Sequence, residues 1–205
     1  MKSLAIIGAG GNGKVAADIA ATLGWIKIEF FDRTWPERDK NGQWPIVGKD
    51  TEISNVFRNY DGVFVAIGEN KKRCEFINIL LRLQANIVNL IHPSAIISST
   101  VKFGVGIVIM PGVVVNVDVK IESGVILNTN SSVDHDCSLD SNVHLSPGVT
   151  LAGNVSVGKN SWVGIGASVK ENLFIGRDVV VGAGAVVVAN VKAESKVIGI
   201  PARPV

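Results

Sequence analysis

The sequence predicts two architectures in one chain: a small Rossmann-like α/β half domain over residues 1–90, then an all-β parallel β-helix over 91–205. Three observations carry this reading. Every sixth residue from Ile91 to Val187 is apolar, beginning Ile91, Ile97, Phe103, Ile109 and ending Ile175, Val181, Val187. A glycine run, Gly8-Ala9-Gly10-Gly11-Asn12-Gly13, lies between a strand pattern and a helix pattern. The composition changes character at His92-Pro93.

Alternating strand and helix patterns fill the first segment. Leu4 to Ile7 reads as a buried strand, and Val15, Ala16, Ile19, Ala20 and Leu23 fall on one helix face. Ile26 to Phe31 is a second strand, ending at Asp32-Arg33. Residues 34–49 hold Trp35-Pro36 and Trp44-Pro45 and are expected to be loop-rich. A short helical pattern near Glu52 to Arg58 precedes a third strand at Gly62 to Gly68 and a helix at Lys71 to Leu83; Asn86 to Leu90 closes the unit.

The hexad run has one physical solution. With 47% apolar residues, chance gives such a run in one register on the order of once per few hundred thousand sequences, so it is an internal repeat. Residues two places earlier are also small or apolar, as at Ile107, Val113, Ser131, Cys137 and Ala167. A helix turns roughly 600° in six residues and scatters such positions. A prism of short strands and corners buries them all. Three hexads complete a coil, so residues eighteen apart stack at about 4.8 Å. Beyond Val187 the repeat frays into a Pro-bounded tail, Ile198-Gly199-Ile200-Pro201-Ala202-Arg203-Pro204.

Bulk properties exclude several classes. A net charge of +2 gives no electrostatic case for nucleic acid or an anionic membrane surface. No segment has the roughly 20 apolar residues that membrane insertion needs, and the first residues form too short an apolar core for a signal peptide. Two cysteines fit a reducing compartment, and a cytoplasmic location is expected. Cys137 falls on the inward side of the repeat and reads as a core residue.

Gly8-x-Gly10-x-x-Gly13, with Asp32 about 20 residues on, is the signature of a phosphate-approaching turn at a helix N-terminus. A full dinucleotide fold needs two such halves, and about ninety residues supply one. A mononucleotide, such as the head of a nucleotide-sugar, is therefore the preferred ligand over NAD. Gly68-Glu69-Asn70 marks a second strand end where ligands collect. Lys14 could meet a phosphate, although a solvated helix-face lysine is the plainer reading.

Chemistry in the repeat falls to His92, His135 and His144. His92 reads as a turn residue. His135 sits at a corner, in Val133-Asp134-His135-Asp136-Cys137, where an imidazole can take a proton from an attacking amine or hydroxyl. A neighbouring carboxylate orients the ring and favours its charged form. His144 lies half a coil further on, on another side of the prism, so joint use of both comes most simply from a second chain packed alongside. Asn128, Ser146 and Gly164 form one stacked column; His135, Gly153 and Glu171 form another. No zinc-type ligand spacing and no Gly-x-Ser-x-Gly elbow is visible, so neither a metal nor a serine acyl-enzyme is expected.

The hexads, the glycine-rich start and the segments Asn128 to Cys137, Leu90 to Ala95 and Gly199 to Ala202 together resemble the PglD-type nucleotide-amino-sugar N-acetyltransferases, within the NeuD-like sugar acyltransferases. The resemblance implies a left-handed β-helix and a homotrimer with acetyl-CoA lying between subunits. It implies His135 as general base, Asp136 as its carboxylate partner and Asn128 beside them. His144, Gly153 and Ile165 match positions that hold the cofactor. Gly10, Gly11, Asn12, Asp32, Arg33 and Gly68 match the nucleotide-sugar pocket. The implied reaction is acetylation of the 4-amino group of a UDP-linked 4-amino-4,6-dideoxy sugar; O-acetylation of a sialic acid or related hydroxyl is the alternative. Three departures stand out: Asp136 replaces a Glu, Asn12 a His, and Arg33 the second Asp of a pair.

Overall fold

The computed structural model describes residues 2–205. Two compact units divide between Pro93 and Ser94.

In the first unit, β1 (Ser3–Ile7), β2 (Lys27–Phe31) and, after the hairpin of β3 (Lys40–Asn41) and β4 (Trp44–Gly48), β5 (Gly62–Val65) build one sheet in the order β3-β4-β2-β1-β5. β1 pairs in parallel with both β2 and β5, and β2 in parallel with β4. All of β1 is buried, as a central parallel strand requires. The chain leaves β1 for one side of the sheet and returns to β5 on the other. That reversal opens a crevice at the strand C-termini between β1 and β5.

α1 (Gly11–Thr22) and α3 (Asn70–Arg82) flank this crevice, with the short α2 (Ile53–Val56) between β4 and β5. α1 buries Gly13, Ala16, Ala17, Ile19 and Ala20, whereas Val15 is exposed. Its inner face is thus turned one position from the expected one, because glycine and alanine let the helix approach the sheet closely.

The expected loop at 34–49 is corrected: it holds the β3–β4 hairpin. Ile46 and Gly48 are buried while Pro45 and Val47 face out, the period-2 pattern of a strand. Pro45 concealed that pattern. The ladder with β2 shifts register between Phe30 and Phe31, the kind of irregularity that tolerates a proline nearby.

The second unit is a left-handed parallel β-helix built from two-residue strands. On the first face Ile96–Ile97, Val114–Val115, Ser132–Val133, Thr150–Leu151, Ser168–Val169 and Val186–Val187 stack in parallel, eighteen residues apart. The second face runs from Lys102–Phe103 to Phe174–Ile175. The third includes Val108–Ile109, Ile126–Leu127, His144–Leu145, Trp162–Val163 and Val180–Val181. The hexad residues from Ile109 to Val187 are buried, as are Ile107, Val113, Ser131, Cys137 and Ala167. Phe103 is 38% exposed, because the first coil has no coil before it on that face.

The corners carry a residue signature of their own. Three residues after the hexad position the backbone turns left-handed, at Asp118, Asn130, Asp136, Asn142, Asn154, Asn160, Asn172 and Asp178, or at glycine in Gly112, Gly124 and Gly148. Asn, Asp and Gly tolerate positive φ at least cost, so they mark each corner. The coil also persists beyond Val187. Val191 bridges Ile175, Lys196–Ile198 joins the third face in parallel, and Arg203–Pro204 closes on it antiparallel.

Candidate active site

The crevice of the first unit is a cavity of about 340 Å³. All six residues expected there line it: Gly10, Gly11, Asn12, Asp32, Arg33 and Gly68, together with Asp50, Ile67, Glu69 and Lys72.

The three glycines of the motif do different work. A side chain on Gly13 would strike the carbonyl oxygen of Gly8, so Gly13 lets α1 start against β1. Gly8 has φ +98°, which favours glycine. Gly10, Gly11 and Gly68 have open space where a side chain would stand.

The peptide carbonyls of both loops are tied back. Arg38 donates from Nη1 to the Ala9 carbonyl at 2.8 Å and from Nη2 to Asn41 Oδ1 at 2.7 Å; Asn41 Nδ2 donates to the Gly10 carbonyl at 3.1 Å. Arg73, fully buried, donates from Nη1 to the carbonyls of Ile67 and Gly68 at 2.9 and 3.1 Å, and from Nη2 to Asn70 Oδ1 at 2.8 Å. Asn12 Nδ2 joins the loops by donating to the Ala66 carbonyl at 3.1 Å.

Asp32 is a loop-holding carboxylate. Oδ2 accepts the Ala9 N–H at 2.7 Å, and Oδ1 accepts both the N–H and hydroxyl of Thr34 at 2.9 and 2.7 Å. Burial pushes its pKa up, but these hydrogen bonds and the Arg33 charge outweigh that and hold it below the ordinary carboxylate value. Lys72 supplies a cation at the cavity; Lys14 lies instead beside Gly42 in the β3–β4 turn.

In the second unit, His135 occupies the corner between the first and second faces, with its side chain 54% exposed. Its Nδ1 lies 2.8 Å from Asp136 Oδ2. That hydrogen bond chiefly, against slight desolvation and helped by the charges of Asp134 and Asp136, raises the imidazole pKa above its usual value. Asp134 Oδ1 accepts the His135 N–H at 2.8 Å and Asn116 Nδ2 at 2.7 Å, while the Asn154 N–H donates to the His135 carbonyl at 2.8 Å. The corner backbone is therefore held on both sides. Asp134, the carboxylate on the other flank of His135, acts as an Asx-type brace of the corner rather than as a partner of the ring.

Gly153, one coil further on, explains the ring's position. A Cβ there would sit 2.5 Å from Cε1 and 2.6 Å from Nε2 of His135. Glycine gives the imidazole room to lie over the backbone. Glu171, next in the column, approaches Lys170 Nζ at 3.8 Å. Cys137 is buried and its Sγ contacts the Ala152 carbonyl at 3.2 Å; burial pushes its thiol pKa up, the state of an inert core thiol.

Asn128 is not joined to the His135–Asp136 pair. Its Nδ2 lies 3.3 Å from His144 Nε2, on the third face. The His144 ring stacks on Trp162 with centroids 6.0 Å apart and planes 14° from parallel; Trp162 Nε1 donates to Ser146 Oγ at 2.7 Å. A second cavity of about 240 Å³ adjoins this stack, lined by Ser146, Trp162, Gly164, Ile165 and Gly182. Trp162 and Ile165 are 48% and 57% exposed. Among the described residues, no group of three or more His, Cys, Asp or Glu is placed to hold a metal, and no helix is long and apolar enough to cross a membrane.

A Rossmann-like unit with a glycine-lined crevice, followed by a hexapeptide-repeat β-helix with a histidine corner, defines the structural class. Comparison with known proteins narrows it. Residues 3–80 match the PglD N-terminal domain. PerB from Caulobacter crescentus, solved with CoA and GDP-perosamine, is 36% identical with a TM-score of 0.94, over 100% of this chain and 98% of that one. The acetyltransferase domain of PglB from Neisseria gonorrhoeae FA1090, solved with acetyl coenzyme A, is 36% identical with a TM-score of 0.92, over 100% and 99%. The UDP-N-acetylbacillosamine N-acetyltransferase of Bacillus subtilis (strain 168) is 34% identical over 113 residues, 54% of this chain and 52% of that protein. The chain thus spans about half the length of this curated relative. It belongs to the PglD-type sugar acetyltransferase family.

Proposed function

We propose that the protein transfers an acetyl group from acetyl-CoA to the 4-amino group of a nucleotide-linked 4-amino-4,6-dideoxy sugar, with UDP as the nucleotide. The observation that carries this reading is His135, exposed at a corner, hydrogen-bonded through Nδ1 to Asp136 and lying over Gly153. With Nδ1–H donated to the carboxylate, Nε2 keeps its lone pair and serves as general base. The neutral sugar amine attacks the thioester carbonyl while His135 Nε2 removes one of its two protons. The C–N bond forms and the C–S bond breaks. The sulfur leaves as thiolate and takes a proton back from the imidazolium, giving an amide and free CoA. A backbone N–H steadies the developing oxyanion.

Gly10, Gly11, Asn12, Asp32, Arg33 and Gly68 hold the nucleotide in the first unit. His144, Gly153 and Ile165 contact acetyl-CoA. In our reading the chain is a cytoplasmic homotrimer. One subunit's His135 corner faces the His144–Trp162 face of a neighbour, whose cavity beside Ile165 takes the pantetheine arm and where Asn128 completes the site. The exposure of Trp162 and Ile165 supports that arrangement. An amine is favoured over a hydroxyl as acceptor because the Bacillus relative is an N-acetyltransferase and PerB was solved with an amino sugar nucleotide.

The test is thiol release from acetyl-CoA with UDP- and GDP-linked 4-amino-4,6-dideoxy sugars and with sialic acid. Amide formation on the UDP-amino sugar is expected. Turnover confined to sialic acid, or release without an acceptor being consumed, overturns the proposal.

A further inference from the structure

Arg73 is the largest fully buried side chain among the described residues, and it stands directly behind the nucleotide crevice. Its guanidinium is spent on the backbone of the loop between β5 and α3. Nη1 takes the carbonyl oxygens of both Ile67 and Gly68, and Nη2 takes the side chain of Asn70, the first residue of α3. Burial lowers its pKa to about 10, so the group stays charged at neutral pH.

Two tied carbonyls fix two N–H vectors. In a trans peptide unit the C=O and the following N–H point in opposite directions. With the Ile67 and Gly68 oxygens drawn to Arg73, the N–H groups of Gly68 and Glu69 are turned away from it. Gly68 and Glu69 themselves line the crevice. No hydrogen bond within the described residues takes either N–H. Gly68 has open space where a side chain would stand, and Lys72 lines the same wall. The glycine run opposite is arranged alike, since Arg38 and Asn41 hold the Ala9 and Gly10 carbonyls.

We infer that Arg73 is a positioning residue for the diphosphate of the nucleotide-sugar: it aims the Gly68 and Glu69 N–H groups at the phosphate oxygens while contributing positive potential from behind. This rests on the nucleotide reading of the crevice and adds to it the group recognised at the β5–α3 loop. Two N–H donors side by side at a helix start, with a buried cation behind them, suit a compact dianion better than a nucleobase or sugar.

Glu69 offers a clean test. Its φ of −68° is already that of proline, so Glu69→Pro deletes one N–H at a φ the residue already holds, and the preceding glycine is the residue most tolerant of a following proline. Glu69→Ala is the comparator, because both variants lack the carboxylate. Calorimetric titration of the full chain would use UDP against uridine, with GDP against guanosine in parallel. Glu69→Pro should bind the diphosphate about 10-fold or more weakly than Glu69→Ala, the effect of one hydrogen bond to a charged acceptor. The two variants should bind the nucleoside equally. Arg73→Met should lose diphosphate affinity to at least the same degree, with nucleoside affinity kept, and should raise KM for the sugar nucleotide while kcat holds. Equal diphosphate binding by the two Glu69 variants overturns the inference alone. Failure of the unmodified protein to bind either diphosphate overturns the nucleotide reading beneath it.

Discussion

The crevice of the first unit and the corner of the second are built from opposite materials. At the crevice the surface proposed to recognise the nucleotide is backbone: glycines facing open space, carbonyls tied back by Arg38, Asn41 and Arg73, and a carboxylate, Asp32, occupied with holding a loop. At the corner the backbone is a repeating frame, and the side chains proposed to carry the chemistry, the hydrogen-bonded His135 and Asp136, depart from the repeat. Specificity made from backbone needs precise supports several residues away. Reactivity made from a side chain needs room, here given by Gly153. The two regions should therefore fail in different ways when disturbed.

Gly153→Ala should have the largest effect of the substitutions around the histidine. Its Cβ would occupy the space of the imidazole, and a displacement of about 1 Å can cost on the order of 10²-fold in kcat. Steady-state kinetics should show that loss with KM for the nucleotide-sugar unchanged. An equal loss of nucleotide affinity would break the separation between the two regions.

Asp136→Asn should lower kcat about 10-fold and move the pH profile. Asp136 raises the imidazole pKa, so the acid limb of kcat/KM should lie above the ordinary imidazole value, where a neutral base first becomes available. Removing the carboxylate should shift that limb to lower pH. An unmoved limb would mean that the titrating group is not His135.

The crevice should respond more mildly and in binding. Lys72→Ala should raise KM for the nucleotide-sugar roughly 3- to 10-fold and leave kcat intact, as loss of uniform binding does. Asp32→Asn should lower Tm at neutral pH by about 2–4 °C, a modest figure because the group is only part-buried. The sign follows from its depressed pKa. The stabilisation is present above the unfolded carboxylate pKa and is lost as pH falls through the folded one, so the two proteins should converge in strong acid. Thermal unfolding across that range checks both points.

The same contrast explains what could be read in advance. Hexads such as Val133 and Leu139 are legible because each buried position recurs at a fixed interval, and His135 stands out against that frame. The glycine motif is legible because close approach leaves no choice of residue at Gly13. Arg73 was not legible as a support: in sequence it is one basic residue on an amphipathic helix, and only the fold turns it inward beneath Ile67 and Gly68. Lys72, not Lys14, reaches the crevice for the same reason, since helix phase decides it. Pro45 hid a strand because proline disfavours interior strands, yet a register shift beside Ile46 accommodates it. The resemblance implies Asn128 beside the His135–Asp136 pair; within one chain the coil sets it beside His144, so only a neighbouring subunit could bring the two together.

The proposed division of labour, nucleotide binding in the first unit and proton transfer in the second, is tested most directly by His135→Ala, measured twice on the same preparation. Acetyl transfer to the UDP-linked amino sugar should fall by about 10³-fold or more, as loss of a general base allows, while calorimetric affinity for that nucleotide-sugar stays within about 2-fold of the unmodified protein. Transfer near the unmodified rate would contradict the account.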